Sequence, residues 1–277
     1  MSTLLLALVI VAAGLAAFVR WLEPRFAFFP TPGETTTPPE FGVAFEPATV
    51  DTADGEHLRV WHLRAGLPRA LVVYFHGNGG NLSVWAPILA GVARRGYDLV
   101  AFDYRGYGVS TGRPSESGLY RDVDAIVQHA VASRQPSLPI VYWGRSLGST
   151  MAAYASTRQR PDGVILESGF PDARALVRSS PVLALLALFS TYRFPTAEYA
   201  NAGRAPALVM HGTADSVIPF ELGRALYDRL AGAKTFFEIA GGDHNDVRPT
   251  DELAYWRAVD DFVSRLDVRT RSLGPSQ

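Results

Sequence analysis

A serine stands between two glycines in Gly144-Arg145-Ser146-Leu147-Gly148. Before it lies the apolar run Ile140 to Trp143, and after it Leu147 to Arg158 has helical length and composition. G-x-S-x-G at a strand-to-helix turn presents a serine hydroxyl on a strained backbone, and the small flanking residues let the turn close. The pattern arises by chance too often to count alone, so its place between a strand and a helix gives it weight. A serine hydroxyl becomes a nucleophile only when a base takes its proton. The chain has six histidines. His57 and His62 belong to a predicted hairpin and His129 to a predicted helix. His76 and His211 each end a predicted strand just before a glycine, where an imidazole is expected to bind loop backbone. His244, in Gly241-Gly242-Asp243-His244-Asn245-Asp246, follows the last predicted strand and precedes the last helix. A loop there can bring an imidazole back to the serine, so His244 is assigned as the base. The base needs a carboxylate to fix its tautomer, and Asp215 in His211-Gly212-Thr213-Ala214-Asp215 is placed to supply it. The order Ser146, Asp215, His244 suits a parallel α/β sheet. Glu167, Asp243 and Asp246 are the competing acids. Glu167 is expected to brace a loop, and Asp243, adjoining the histidine, to point away from it.

An acyl-transfer intermediate also needs two preorganised donors for its oxyanion. The backbone N–H of Leu147 is one. The other is assigned to Asn78 in the loop His76-Gly77-Asn78-Gly79-Gly80-Asn81. A glycine-rich loop can instead cradle phosphate, but this one has neither G-x-G-x-x-G nor a Walker lysine. The expected chemistry uses no metal and no cofactor. The absence of cysteine excludes a thiol nucleophile and thiolate metal sites. A formal net charge of -1 provides no basic field for nucleic acid.

These residues need a scaffold. With 277 residues, 48% hydrophobic and 19% charged, the chain can build one large α/β core. Val43–Val50 and Leu58–Leu63 flank the turn Ala53-Asp54-Gly55 and predict an antiparallel hairpin. Continuous apolar runs predict strands buried on both faces at Ala70–Phe75, Leu99–Phe102, Ile140–Trp143, Gly163–Leu166, Ala207–Met210 and Thr235–Ile239. Helices are predicted at Val84–Arg95, Leu119–Arg134, Leu147–Arg158, Glu221–Leu230 and Asp251–Leu266. Strands alternating with helices imply a mostly parallel twisted sheet with helices on both faces. The interval Pro171 to Ala205 is too long for a simple crossover. Its apolar middle, Pro181 to Phe189, reads either as a packed helix or as a small cap over an acyl pocket. The expected organisation is an anchor over 1–25, a linker over 26–41, a catalytic domain over 42–267 with the cap at 171–205, and a tail over 268–277.

Leu4 to Val19 carries no polar side chain. At about 1.5 Å per residue it spans about 24 Å, somewhat short of a hydrocarbon core of about 30 Å. Continuation through Trp21 and Leu22, with Arg20 snorkelling, closes the gap. A cleaved signal peptide and a packed core helix are the alternatives; the first would want a basic start and the second a polar stripe. A single uncleaved span is the expectation. Arg20 and Arg25 after it place the catalytic domain in the cytoplasm by the positive-inside rule.

Several motifs together resemble the membrane-anchored abhydrolase-domain serine hydrolases of the α/β-hydrolase superfamily, the branch of the protein depalmitoylases and their bacterial relatives. They are Phe75-His76-Gly77-Asn78-Gly79-Gly80-Asn81-Leu82-Ser83, Asp103-Tyr104-Arg105-Gly106-Tyr107-Gly108-Val109-Ser110, Gly144 to Gly148, Leu166-Glu167-Ser168, His211 to Asp215 and Gly242 to Asp246. The resemblance runs from about Phe29 to Leu266. It implies the α/β-hydrolase fold, a triad of Ser146, Asp215 and His244, oxyanion donors at Asn78 and Leu147, an N-terminal anchor, and an ester or thioester substrate with an acyl chain. The chain departs from the family at Gly79, where alanine is commoner, and in lacking the cysteine cluster through which animal depalmitoylases attach to membranes. Other members of the fold are aminopeptidases, and some are non-catalytic scaffolds that have lost a triad residue.

Overall fold

The computed structural model describes residues 3–179, 191–246 and 251–272. Eight strands form one sheet: β2 (Phe45–Asp51), β3 (His57–Leu63), β4 (Ala70–Phe75), β6 (Tyr97–Phe102), β7 (Ile140–Arg145), β8 (Gly163–Glu167), β9 (Ala207–Gly212) and β10 (Lys234–Ile239). Their order is β10-β9-β8-β7-β4-β6-β3-β2. β2 pairs antiparallel with β3, and β3 antiparallel with β6; every other neighbouring pair is parallel. This is the α/β-hydrolase fold, with the expected hairpin at one edge.

The central strands are largely apolar because both faces are covered. In β4, Leu71, Val73 and Phe75 join one core with α3 (Glu116–Ser133) and α4 (Leu147–Arg158). Ala70, Val72 and Tyr74 join the other, with α2 (Leu82–Arg94) and α8 (Glu252–Ser272). Successive side chains of a strand point to opposite faces, so one apolar run serves two layers. Three shorter helices lie between the later strands: α5 (Ala173–Arg178), α6 (Thr196–Gly203) and α7 (Phe220–Arg229). The sequence reading missed α5 and α6, each of only about two turns. The apolar segment Pro181 to Phe189, expected as a packed helix or cap, lies outside the described residues.

The N-terminal region departs from expectation in two ways. α1 (Thr3–Ala27) is one helix, but among the described residues no helix is long and apolar enough to cross a membrane. Arg20, Glu23, Pro24 and Arg25 occupy its last third and confine the uncharged part to Leu4 to Val19. Second, the stretch expected to be a linker is hydrogen-bonded to the loops of the α/β domain. Phe29–Pro30 (β1) pairs in parallel with Gly79–Gly80 (β5), and Pro32 bridges to Gly108. A two-residue strand has no periodicity to detect, and only its partner defines it.

Candidate active site

Ser146 sits between β7 and α4 with φ 58° and ψ -123°, a left-handed φ that non-glycine residues rarely adopt. Crowding enforces the turn. A Cβ on Gly144 would collide with the carbonyl oxygen of Gly148, and one on Gly148 with that of Phe75. Ser146 N–H donates to Glu167 O at 2.8 Å, tying the turn to the end of β8. Ser149 Oγ is 3.0 Å from both Gly144 O and Glu167 O.

The loop after β10 carries His244 to the serine. His244 Nε2 lies 3.1 Å from Ser146 Oγ, and His244 Nδ1 lies 2.8 Å from Asp215 Oδ2. A carboxylate only accepts, so the Nδ1 proton faces Asp215 and Nε2 is left to accept the serine proton. Asp215 Oδ1 accepts Val217 N–H at 3.0 Å and Ile218 N–H at 2.7 Å. Burial raises the Asp215 pKa, but hydrogen bonds from His211 and His244, the His244 charge and the Ile218 N–H outweigh it, holding the carboxyl well below the usual range. His211 Nε2 donates to Ile218 O at 2.9 Å and stands 3.4 Å from Asp215 Oδ2. It therefore supports the acid's loop.

The competing acids do other things. Asp243 Oδ1 accepts Ser216 N–H at 2.7 Å, and Asp246 Oδ2 accepts Asp243 N–H at 2.8 Å, so both shape loops. Glu167, buried at the end of β8, accepts Trp143 Nε1–H at 2.9 Å and Tyr255 O–H at 3.1 Å. Its other oxygen stands 3.8 Å from Arg145 Nε. The Arg145 guanidinium, also buried, donates from one nitrogen to His244 O and Asp246 O, each at 2.8 Å. Burial opposes its charge, but the combined fields of Glu167, Tyr74, Tyr255 and Asp215 raise its pKa further. Arg145, next to Ser146, thus clamps the loop that carries His244. Sequence reasoning missed this link; a lone arginine in the x position of G-x-S-x-G was its only trace.

The loop after β4 faces the serine. A Cβ on Gly77 would lie 3.4 Å from Ser146 Cβ and 3.0 Å from Trp85 Cζ2. His76 Nδ1 donates to Gly77 O at 2.7 Å. That carbonyl shares a peptide plane with Asn78 N–H, which in a trans peptide points the opposite way. Anchoring the oxygen therefore aims the N–H. Tyr107 O–H donates to Asn78 O at 2.9 Å and lies 3.1 Å from Asn78 Oδ1. Leu147 opens α4, where the first-turn N–H groups have no intrahelical acceptor and the helix dipole favours negative charge. Of the other histidines, His57 Nδ1 contacts Asp51 at 2.7 Å, and His62 and His129 meet at 2.8 Å between β3 and α3.

A serine, an imidazole and a carboxylate joined in sequence at the strand ends of this sheet define a serine hydrolase of the α/β-hydrolase class. The chain belongs to the family described as "Serine aminopeptidase, S33", whose pattern matches residues 66–204. An uncharacterized Mycobacterium tuberculosis protein is 31% identical over 271 residues, covering 96% of this chain and 94% of that one. An uncharacterized membrane protein of Saccharomyces cerevisiae is 31% identical over 235 residues, 82% of each chain. Human alpha/beta hydrolase domain-containing protein 17C is 33% identical over 193 residues, covering 65% of this chain and 54% of its own. Among solved structures, a Pyrococcus furiosus esterase superposes with a TM-score of 0.69 over 86% of this chain and 98% of its own, at 17% identity.

Proposed function

We propose that the protein hydrolyses a carboxylic ester or thioester bearing an acyl chain, through an acyl-enzyme on Ser146. The observation that carries this reading is the hydrogen-bonded series Asp215–His244–Ser146 beside the loop of Asn78. Ser146 Oγ attacks the acyl carbonyl carbon while its proton passes to His244 Nε2. Asp215 stabilises the imidazolium, and the N–H groups of Asn78 and Leu147 receive the oxyanion. Collapse of the intermediate breaks the bond to the leaving alcohol or thiol, which takes the proton from His244. Water, deprotonated by His244, then attacks the acyl-serine, and Ser146 is released with its proton restored.

A fluorophosphonate probe is expected to label the wild type and not Ser146→Ala. Turnover should be greatest on p-nitrophenyl esters or acyl thioesters in a panel that also holds aminoacyl anilides. The family description supports a second reading, cleavage of aminoacyl amides, and preference for the anilides would establish it over the first. Absence of labelling in the wild type would sink both.

We further propose that α1 holds the enzyme at a membrane with the catalytic domain on the cytoplasmic side. Leu5, Leu6, Leu8, Val9, Ile10 and Val11 are all exposed, and Leu4 to Val19 carries no polar stripe. The relative in yeast is described as a membrane protein. Slight bilayer thinning and snorkelling of Arg20 would accommodate the short apolar stretch. Carbonate extraction should leave the full-length chain in the pellet, and protease added to intact cells should spare the catalytic domain. Release by carbonate overturns the anchor, and cleavage from outside reverses the orientation.

A further inference from the structure

We infer that Phe28 to Thr37 is a strap that positions the oxyanion loop and joins it to the end of α1. This rests on the serine-hydrolase reading of Ser146 and Asn78. The loop itself is soft: Gly77, Gly79 and Gly80 leave it few side chains to pack, and Gly80 has φ +86°. Its shape therefore depends on how its carbonyls are held. Four consecutive carbonyls are taken. Gly77 O accepts from His76, Asn78 O from Phe29 N–H at 3.3 Å and from Tyr107, Gly79 O from Trp85 Nε1 at 2.9 Å, and Gly80 O from Thr31 N–H at 2.9 Å. Two of the four rely on the strap. The strap thus fixes the peptide that follows Asn78, while His76 holds the one that carries the Asn78 N–H, so Asn78 is gripped on both sides.

The strap is itself built in along its length. Asn81 Nδ2 donates to Thr31 O at 3.1 Å and Gly33 O at 2.8 Å. Gly33 and Gly108 are joined by a 2.8 Å bond, and Gly108 N–H reaches Thr31 O at 3.0 Å. Ser83 Oγ accepts Thr35 N–H and Thr36 N–H at 2.9 and 3.1 Å. Glu34 takes a bidentate grip from Arg59, both bonds 2.7 Å, and accepts Trp61 Nε1–H at 3.0 Å. At the other end, buried Phe28 packs edge-on against Tyr192 and Phe194, with centroids 5.6 and 6.3 Å away. Those residues follow directly on the apolar interval. Phe28 N–H still bonds to Pro24 O at 3.1 Å, so α1 runs into the strap without slack. The position of α1 is thereby transmitted to the loop carrying Asn78.

The test uses the full-length chain and two variants. Thr31→Pro deletes the donor to Gly80 O between two residues that are already proline. Asn81→Asp keeps the oxygen that caps α2 through Val84 N–H but loses both donors to the strap. In each, kcat on a p-nitrophenyl ester should fall about 10- to 100-fold, somewhat less than for outright loss of an oxyanion donor. KM should stay within about twofold, and the inhibition constant of a trifluoromethyl ketone, which mimics the tetrahedral intermediate, should rise by the factor lost in kcat. Thr31→Ser retains the N–H and should behave as wild type. Unchanged kcat in a folded variant, or a fall in kcat without weaker ketone binding, overturns the strap. If Thr31→Pro does not fold, Asn81→Asp decides alone. A wild type that turns over no substrate would instead refute the hydrolase reading, so the two failures are distinguishable.

Discussion

Ser146→Ala and His244→Ala are each expected to lower ester turnover by several orders of magnitude, on the order of 10⁶-fold where a triad's nucleophile or base is lost. The size follows from the geometry. Ser146 Oγ has its base 3.1 Å away, and removal of either partner abolishes the attack and the transfer of its proton together. The double variant should be scarcely worse than either single one, because the two groups act as a unit. Folding should be little affected. Alanine fits wherever serine does, and the turn at Ser146 is held by its backbone bond to Glu167 O, not by its hydroxyl. Steady-state kinetics beside thermal melting measure both. Near-wild-type turnover in either variant with an intact melting transition would remove Ser146 or His244 from the chemistry.

Asp215→Asn should cost on the order of 10⁴-fold in turnover with little loss of stability. The reason is tautomeric. Oδ1 receives two backbone N–H groups, from Val217 and Ile218, so an asparagine there must keep its oxygen on that side. Its NH₂ then faces His244 Nδ1 and forces that nitrogen to accept. The proton moves to Nε2, where it points at Ser146 and leaves nothing to receive the serine proton. Glu167→Gln makes the informative contrast. Glu167 touches Trp143, Tyr255 and Arg145 and reaches His244 only through the Arg145 clamp, so its loss should chiefly lower the melting temperature. A crippled Glu167→Gln enzyme beside a mild Asp215→Asn one would reassign the acid. The low pKa of Asp215 adds a sign. A carboxyl depressed in the folded state stabilises the fold above its ordinary pKa and loses that contribution as pH falls through the folded value. The His244 contact should therefore persist through mild acid and fail only in strong acid.

Much of the scaffold was legible in the chain because it obeys local rules. A strand covered on both faces reads as a nearly continuous apolar run, so Ala70–Phe75 could be bounded to the residue. The start of α4 follows from the turn around Ser146, which requires glycine at 144 and 148 because a backbone oxygen approaches each. The places of Asp215 and His244 just after predicted strands, together with their order behind Ser146, were likewise enough to prefer them, and the fold brings them into contact. What local rules could not supply is partnership between distant segments. Nothing in Phe29–Pro30 predicts a strand, since two residues have no period and their register exists only against Gly79–Gly80. Arg145 reads as a spacer until Glu167 neutralises it and the carbonyls of His244 and Asp246 converge on its guanidinium. Strand order, too, is set by the way two apolar faces are shared between helices, a property of the packed molecule. The amino-acid sequence by itself determined the candidate site residues and the elements that carry them, because those follow from residue type and spacing. The tertiary structure alone decided what holds these groups in register, because hydrogen bonds between residues 50 or 99 positions apart are specified by no single stretch of chain.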